Sequence, residues 1–179
     1  MDAVIRRAAP EDAAALHELA AATFPLACPP ESTTVDQSAF IDAHLSEASF
    51  RGYLADADRV VLVNEIDGRL VGYTMLVFGE PTDADVRASL GDDRARPVAE
   101  LSKCYALPSS HGSGVASRLL ELTIDHARER GIRHVWLGVN QQNVRAQRFY
   151  AKHGFTTVGE KRFRVGERLE NDYVLARPV

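Results

Sequence analysis

The residues of this 179-residue chain whose types and spacing could do chemistry lie between Val98 and Tyr150. His111-Gly112-Ser113-Gly114 separates a predicted strand from a predicted amphipathic helix. The first four amides of a helix have no intrahelical partner, and the helix dipole favours negative charge there. Gly112 and Gly114 carry no side chain that would hold a ligand off the backbone. The amides from His111 to Ser117 can therefore form a concave donor surface for a diphosphate. The same glycines would equally serve a tight turn that needs positive φ. Two nucleotide motifs fail on residue identity. A P-loop needs Gly-Lys-Ser/Thr, but Val115 and Ala116 follow Gly114; a dinucleotide fingerprint needs a third glycine, where Ser117 stands. On the preceding strand, Glu100 sits between Val98 and Leu101, where a carboxylate must be solvated or employed; the alternative is an outward-facing edge acid.

These residues resemble the GNAT superfamily of acyl-CoA N-acyltransferases. The family's pyrophosphate motif lies over His111-Gly112-Ser113-Gly114-Val115-Ala116-Ser117-Arg118-Leu119-Leu120. Its second signature is matched at Asn143, Ala146, Tyr150, Gly154 and Phe155. His111 departs from the Gln or Arg the family prefers, and a neutral imidazole can still donate a hydrogen bond.

The resemblance implies acetyl-CoA as acyl donor, no metal, and direct attack by an amine with no acyl-enzyme. It assigns the diphosphate to His111, Gly112, Ser113, Gly114, Val115, Ala116 and Ser117, and the pantetheine arm to Asn143 and to backbone groups of Cys104, Tyr105 and Ala106. Tyr150 becomes the proton donor to the leaving thiolate, with packing beside Phe149 as its plainer alternative. Some family members place a base after the second parallel strand, but Gly138-Val139-Asn140-Gln141 supplies none, and Glu100 becomes the leading candidate. His44 and His111 are weaker ones. Within the superfamily the chain is most similar to the spermidine and spermine N-acetyltransferase branch, through Glu100 to Tyr105, Trp136 to Val139, and Thr23-Phe24. That points to a small cationic amine such as a polyamine, with Asp36, Asp42 and Glu47 holding its distal ammonium groups. Peptide, lysine or antibiotic acceptors, and a non-catalytic acyl-CoA sensor, are the alternatives. A homodimer is a further family-based expectation.

Composition narrows the class. The chain has length for one domain and is 45 % hydrophobic and 26 % charged, as expected of a soluble globular protein. No run approaches the apolar length of a membrane span and the start lacks a signal-peptide pattern, so no membrane partner and a cytoplasmic location are expected. Cys28 and Cys104 form no metal or disulfide framework by spacing. Charge is segregated: six acids against one base from Glu31 to Asp58, eleven bases against five acids from Arg118 to Arg168. Few aromatics interleave the bases and the net charge is -4, so nucleic acid is not an expected partner.

The elements that must position these residues follow from pattern. Val4 to Arg7 reads as a strand, and Pro10-Glu11-Asp12 opens a helix. Pro25 to Thr34 reads as irregular, Asp36 as the cap of a second helix, and Ser46 or Ser49 as the start of a third. Arg59 to Ile66 and Arg69 to Phe78 form a hairpin around Asp67-Gly68. Gly79 to Pro97 reads as a surface excursion with a weak helical pattern at Asp85 to Leu90. Strand, helix (Gly114 to Arg130) and strand (His134 to Val139) make a right-handed parallel crossover. A helix capped by Asn143 and a hairpin around Gly166 complete the chain. The expected fold is a single α/β GNAT-like domain over residues 1–179, with a mixed, mostly antiparallel sheet and flanking helices.

Overall fold

A computed structural model describes residues 3–91 and 95–179. Its framework is one seven-stranded sheet. In chain order the elements are β1 (Ala3–Arg7), α1 (Ala13–Ala27), α2 (Thr34–His44), α3 (Glu47–Ala55), β2 (Arg59–Ile66), β3 (Arg69–Phe78), α4 (Ala84–Leu90), β4 (Val98–Ala106), α5 (Val115–Glu129), β5 (His134–Asn140), α6 (Val144–Lys152), β6 (Thr156–Val165) and β7 (Arg168–Pro178). The strands lie in the order β1-β2-β3-β4-β5-β7-β6. Only β4 and β5 run parallel, and the other neighbours are antiparallel.

Alternation along the strands sends side chains to two apolar layers. Val60, Leu62, Leu76, Ala99 and Leu101 pack with Leu120 and Ile124 of α5 on one face. Val61, Val63, Tyr73 and Met75 pack with Leu16, Ala20 and Phe24 of α1 and Phe50 of α3 on the other. α5 alternates apolar and polar positions so cleanly that it can cover the first layer while exposing Arg118 and Arg128.

Two irregularities shape the site. First, β4 and β5 pair only from Val98/His134 to Glu100/Trp136, and beyond that β5 pairs with β7 alone. The facing edges of Leu101–Ala106 and Leu137–Asn140 therefore stand apart, leaving a cleft. Second, Leu101 pairs with Leu76 and Lys103 with Met75, so Ser102 is the extra residue of a bulge. A bulge shifts the side-chain alternation by one residue. Glu100, Lys103 and Tyr105 thus share the face of α1–α3, while Leu101 and Cys104 face α5 and α6.

Several local expectations are corrected. α1 continues through Pro25 to Ala27, since Phe24 is anchored in the core and the proline forfeits only one amide donor. Thr33, not Asp36, caps α2, accepting from the Asp36 amide at 3.1 Å. Ser46 caps α3. The excursion after β3 contains α4, whose fully buried Val86 packs on Trp136, Val174 and Ala176; residues 92–94 of that excursion lie outside the described residues. Asp67 and Gly68 both take positive φ in the first hairpin turn. Among the described residues no helix is long and apolar enough to cross a membrane.

Candidate active site

Two adjoining cavities, of about 230 and 190 Å³, occupy the cleft where β4 and β5 separate. They share Ala27, Cys104, Tyr105, Asn143, Ala146 and Tyr150 as a common wall.

The smaller cavity also touches Ala106, His111, Ala116 and Arg145. Gly112, Ser113, Gly114, Val115 and Ser117 form the neighbouring turn without lining it. Gly112 and Gly114 take φ of +81° and +82°, and no atom lies within 4 Å of where a Cβ would stand. Backbone geometry, rather than crowding, demands glycine there. The donor surface is narrower than the His111–Ser117 run suggests. The amides of His111 and Ser113 are bonded to the carbonyls of Pro108 and Ser110, and Val115 N leans on Ser113 Oγ at 3.4 Å. Those of Gly112 and Gly114 have no partner among the described residues. The His111 ring folds back, Nε2 standing 3.2 Å from the Ala106 carbonyl.

Asn143 caps α6, its Oδ1 accepting from the Ala146 amide at 3.1 Å, which leaves the Nδ2 protons for the cavity. Two turns on, Tyr150 reaches the common wall beside Cys104. Burial holds both protonated. The phenol lies well above its ordinary value, and the thiol is pushed up to about 12. Such a thiol is no nucleophile at neutral pH.

The larger cavity is walled by Phe24, Phe40 and Phe163 and carries three carboxylates (Glu100, Glu170, Asp172) and two lysines (Lys103, Lys161). Phe24 and Phe40 stack at 4.5 Å, and Phe163 meets Phe40 edge-on at 5.4 Å. Glu100 points inward rather than to an open edge. Burial raises its pKa against the opposing pull of Lys161, Lys103 and Arg59. Burial pushes Lys103 down to about 8, with Glu100 resisting. Asp172 is pushed up to about 6, again by burial.

Glu100 is the one member of this charged group that stood out in the sequence. Lys103, Lys161, Glu170, Asp172 and Arg145 were missed. The available signal for β7 was its period of two, Glu170 and Asp172 continuing the face of Val174 and Ala176. Asp36, Asp42 and Glu47 do not line either cavity. Asp36 accepts from Thr33 Oγ1 at 2.8 Å, Glu47 pairs with Arg51, and Asp42 is exposed. His44 packs at a tilt against Phe40 and lines neither cavity. Among the described residues no group of three His, Cys, Asp or Glu side chains could hold a metal ion.

A free-edged cleft beside a glycine turn and a helix N-terminus suits an elongated anionic ligand such as an acyl-CoA. The family model described as Acetyltransferase (GNAT) family matches residues 13–155. The chain belongs to the GNAT family. It is an N-acetyltransferase of that family, similar along its length to relatives of the same class. An uncharacterized N-acetyltransferase of Mycobacterium tuberculosis is 48 % identical over 168 residues, covering 94 % of this chain and 98 % of that one. The fold matches that of PaiA N-acetyltransferase from Thermoplasma acidophilum in complex with coenzyme A, with a TM-score of 0.78 at 20 % identity over the whole of both chains. It also matches the ribosomal-protein-S18-alanine N-acetyltransferase of Escherichia coli, with a TM-score of 0.69 at 18 % identity over 99 % and 94 % of the two chains.

Proposed function

We propose that this GNAT-family enzyme transfers the acetyl group of acetyl-CoA to a small primary amine bound in the larger cavity, by direct attack in a ternary complex. The observation that carries this reading is Tyr150. It stands in the wall common to the two cavities, so that one side can take the acyl donor and the other the amine.

The smaller cavity takes the pantetheine arm along the free edge of β4, with Asn143 Nδ2 donating to it. The diphosphate rests on the Gly112 and Gly114 amides and the first turn of α5, and Arg145 offsets its charge. The thioester then lies in the cleft beside Tyr150.

The reaction needs a neutral amine, a polarised carbonyl and a proton for the leaving sulfur. Tyr150 supplies the last. A phenol held above its ordinary value is a weak acid for an ordinary thiolate, but a thiolate in that wall is itself desolvated. Burial raises Cys104 there to about 12, and the same burial would raise the proton affinity of a leaving sulfur.

The polyamine expected from the acidic helices fits the cavity less well than a monoamine. Its three proposed anchors lie elsewhere, and three carboxylates against two lysines leave a charge that matches one ammonium. The test is thiol release from acetyl-CoA against a panel of amines, with spermidine, a peptide N-terminus and an aminated antibiotic among them. Turnover of a small amine supports the reading. Binding of acetyl-CoA with no turnover of any amine points to an acyl-CoA sensor.

A further inference from the structure

We infer that Asp172 is the acceptor's anchor and its base: the ammonium of a primary monoamine with an apolar body is seated on the Asp172 carboxylate, which takes its proton. This rests on the acetyltransferase reading above and names the acceptor side of that site.

Asp172 is 5 % exposed, and its Oδ1 is sealed from solvent without a hydrogen bond from any described residue. A buried carboxylate oxygen with no donor is costly to keep. The residue lines the larger cavity, so an ammonium entering that cavity meets the carboxylate and supplies the hydrogen bonds it lacks.

Position gives the carboxylate reach. In register, Asp172 on β7 stands between Asn140 on β5 and Lys161 on β6. Two residues along β5 from Asn140, Gly138 has no side chain, and the Lys161 side chain and Asp172 carboxylate take the space beside it. A Cβ there would lie 3.1 Å from Asp172 Oδ2 and 2.6 Å from Lys161 Cε. Glycine thus lets the Lys161 side chain and the Asp172 carboxylate lie together against β5, in the wall of the larger cavity. A side chain at this position would force both groups to shift.

The rest of the cavity describes the amine. Phe24, Phe40 and Phe163 form an aromatic wall, and the Lys161 ammonium lies 5.1 Å from the Phe163 ring. An apolar body packs on those rings while the ammonium meets Asp172. The charged and titratable groups around Asp172 are Lys161 on β6, Glu170 on its own strand, and Glu100, Lys103 and Tyr105 on β4. The two lysines disfavour a second ammonium.

The chemistry balances. Asp172 takes one proton from the alkylammonium, and the freed nitrogen lone pair bonds to the acetyl carbonyl carbon. The carbon–sulfur bond breaks, and its electron pair leaves on sulfur, which takes the phenolic proton of Tyr150. The second nitrogen proton returns to the tyrosinate, giving the amide. Asp172 releases its proton to solvent. The net products are the N-acetyl amine, free thiol and one proton.

The test is the pH dependence of kcat/KM for 2-phenylethylamine and for spermidine, in the wild type, Asp172→Asn and Glu100→Gln, with acetyl-CoA affinity measured by calorimetry in each. The wild type is expected to favour 2-phenylethylamine and to lose activity below pH about 6, as Asp172 protonates. Asp172→Asn is expected to drop kcat/KM about a hundredfold and abolish that acid limb, with acetyl-CoA affinity unchanged. Retained turnover and an intact limb in Asp172→Asn, or loss of the limb in Glu100→Gln alone, overturns the inference and leaves the acetyltransferase reading standing. Preference for spermidine overturns the monoamine assignment. No turnover of any amine by the wild type overturns both.

Discussion

The imidazole Nε2 of His153 stands 3.0 Å from Ser117 Oγ, tying the first turn of α5 to the end of α6. Nδ1 of the same ring is 3.1 Å from Glu121 Oε1, and Arg177 grips Glu121 with two bonds of 2.9 and 3.1 Å. The chain Ser117–His153–Glu121–Arg177 thus crosses from the helix behind the glycine turn to the helix that carries Tyr150, and on to β7. It holds the two halves of the cleft in register. His153→Ala is expected to cost about 1–2 kcal/mol in urea unfolding and to weaken acetyl-CoA binding. His153→Gln, which keeps a donor and an acceptor, should recover part of both.

Gly114 takes φ +82° as the cap of α5. Gly114→Ala forces a Cβ into the left-handed region at about 1–2 kcal/mol. Because that strain also moves the first-turn amides, acetyl-CoA should bind about tenfold more weakly by calorimetry, the equivalent of one charge-assisted hydrogen bond. Cavity residues on β7 should still bind amine.

Tyr150→Phe keeps the ring contacts with Phe149 and Phe155 at 5.3 and 5.6 Å but removes the proton. The expected result is a fall in kcat of about a hundredfold with acetyl-CoA affinity little changed. Substrates with a more acidic leaving thiol should lose less, since they need the proton less.

These sites differ in how readily the sequence disclosed them. The cap at Asn143, the turn at Asp67-Gly68 and the left-handed Gly114 were legible because each is decided by a few neighbouring residues. The parallel crossover followed from an apolar strand on either side of an amphipathic helix. Pro25 misled because its cost is local, whereas the burial of Phe24 that carries α1 past it is tertiary. Asp172 and Lys161 were illegible as a pair because only the β6–β7 register brings them together. The acidic helices drew attention to carboxylates that line neither cavity, since charge segregation along a chain says nothing of which side chains turn inward.

Asp172 also predicts a stability effect independent of catalysis. Its folded pKa of about 6 lies above the usual 3.8, so the folded state binds this proton more tightly than the unfolded one. Its contribution to stability is therefore greatest below the unfolded value and lost as pH rises through about 6. Asp172→Asn should raise stability at pH 7.5 by on the order of 2 kcal/mol and flatten the change between pH 4.5 and 7.5, as read by urea titrations. A stabilised but inactive variant marks a carboxylate kept for function.

The most direct measurement is mass spectrometry of amine and protein together after incubation with acetyl-CoA, alongside the thiol released. Direct attack predicts N-acetyl amine in equal amount with free thiol, no thiol without amine, and no acetyl group on the protein. Thiol release in the absence of amine, with acetyl on Cys104 or any other side chain, would contradict it.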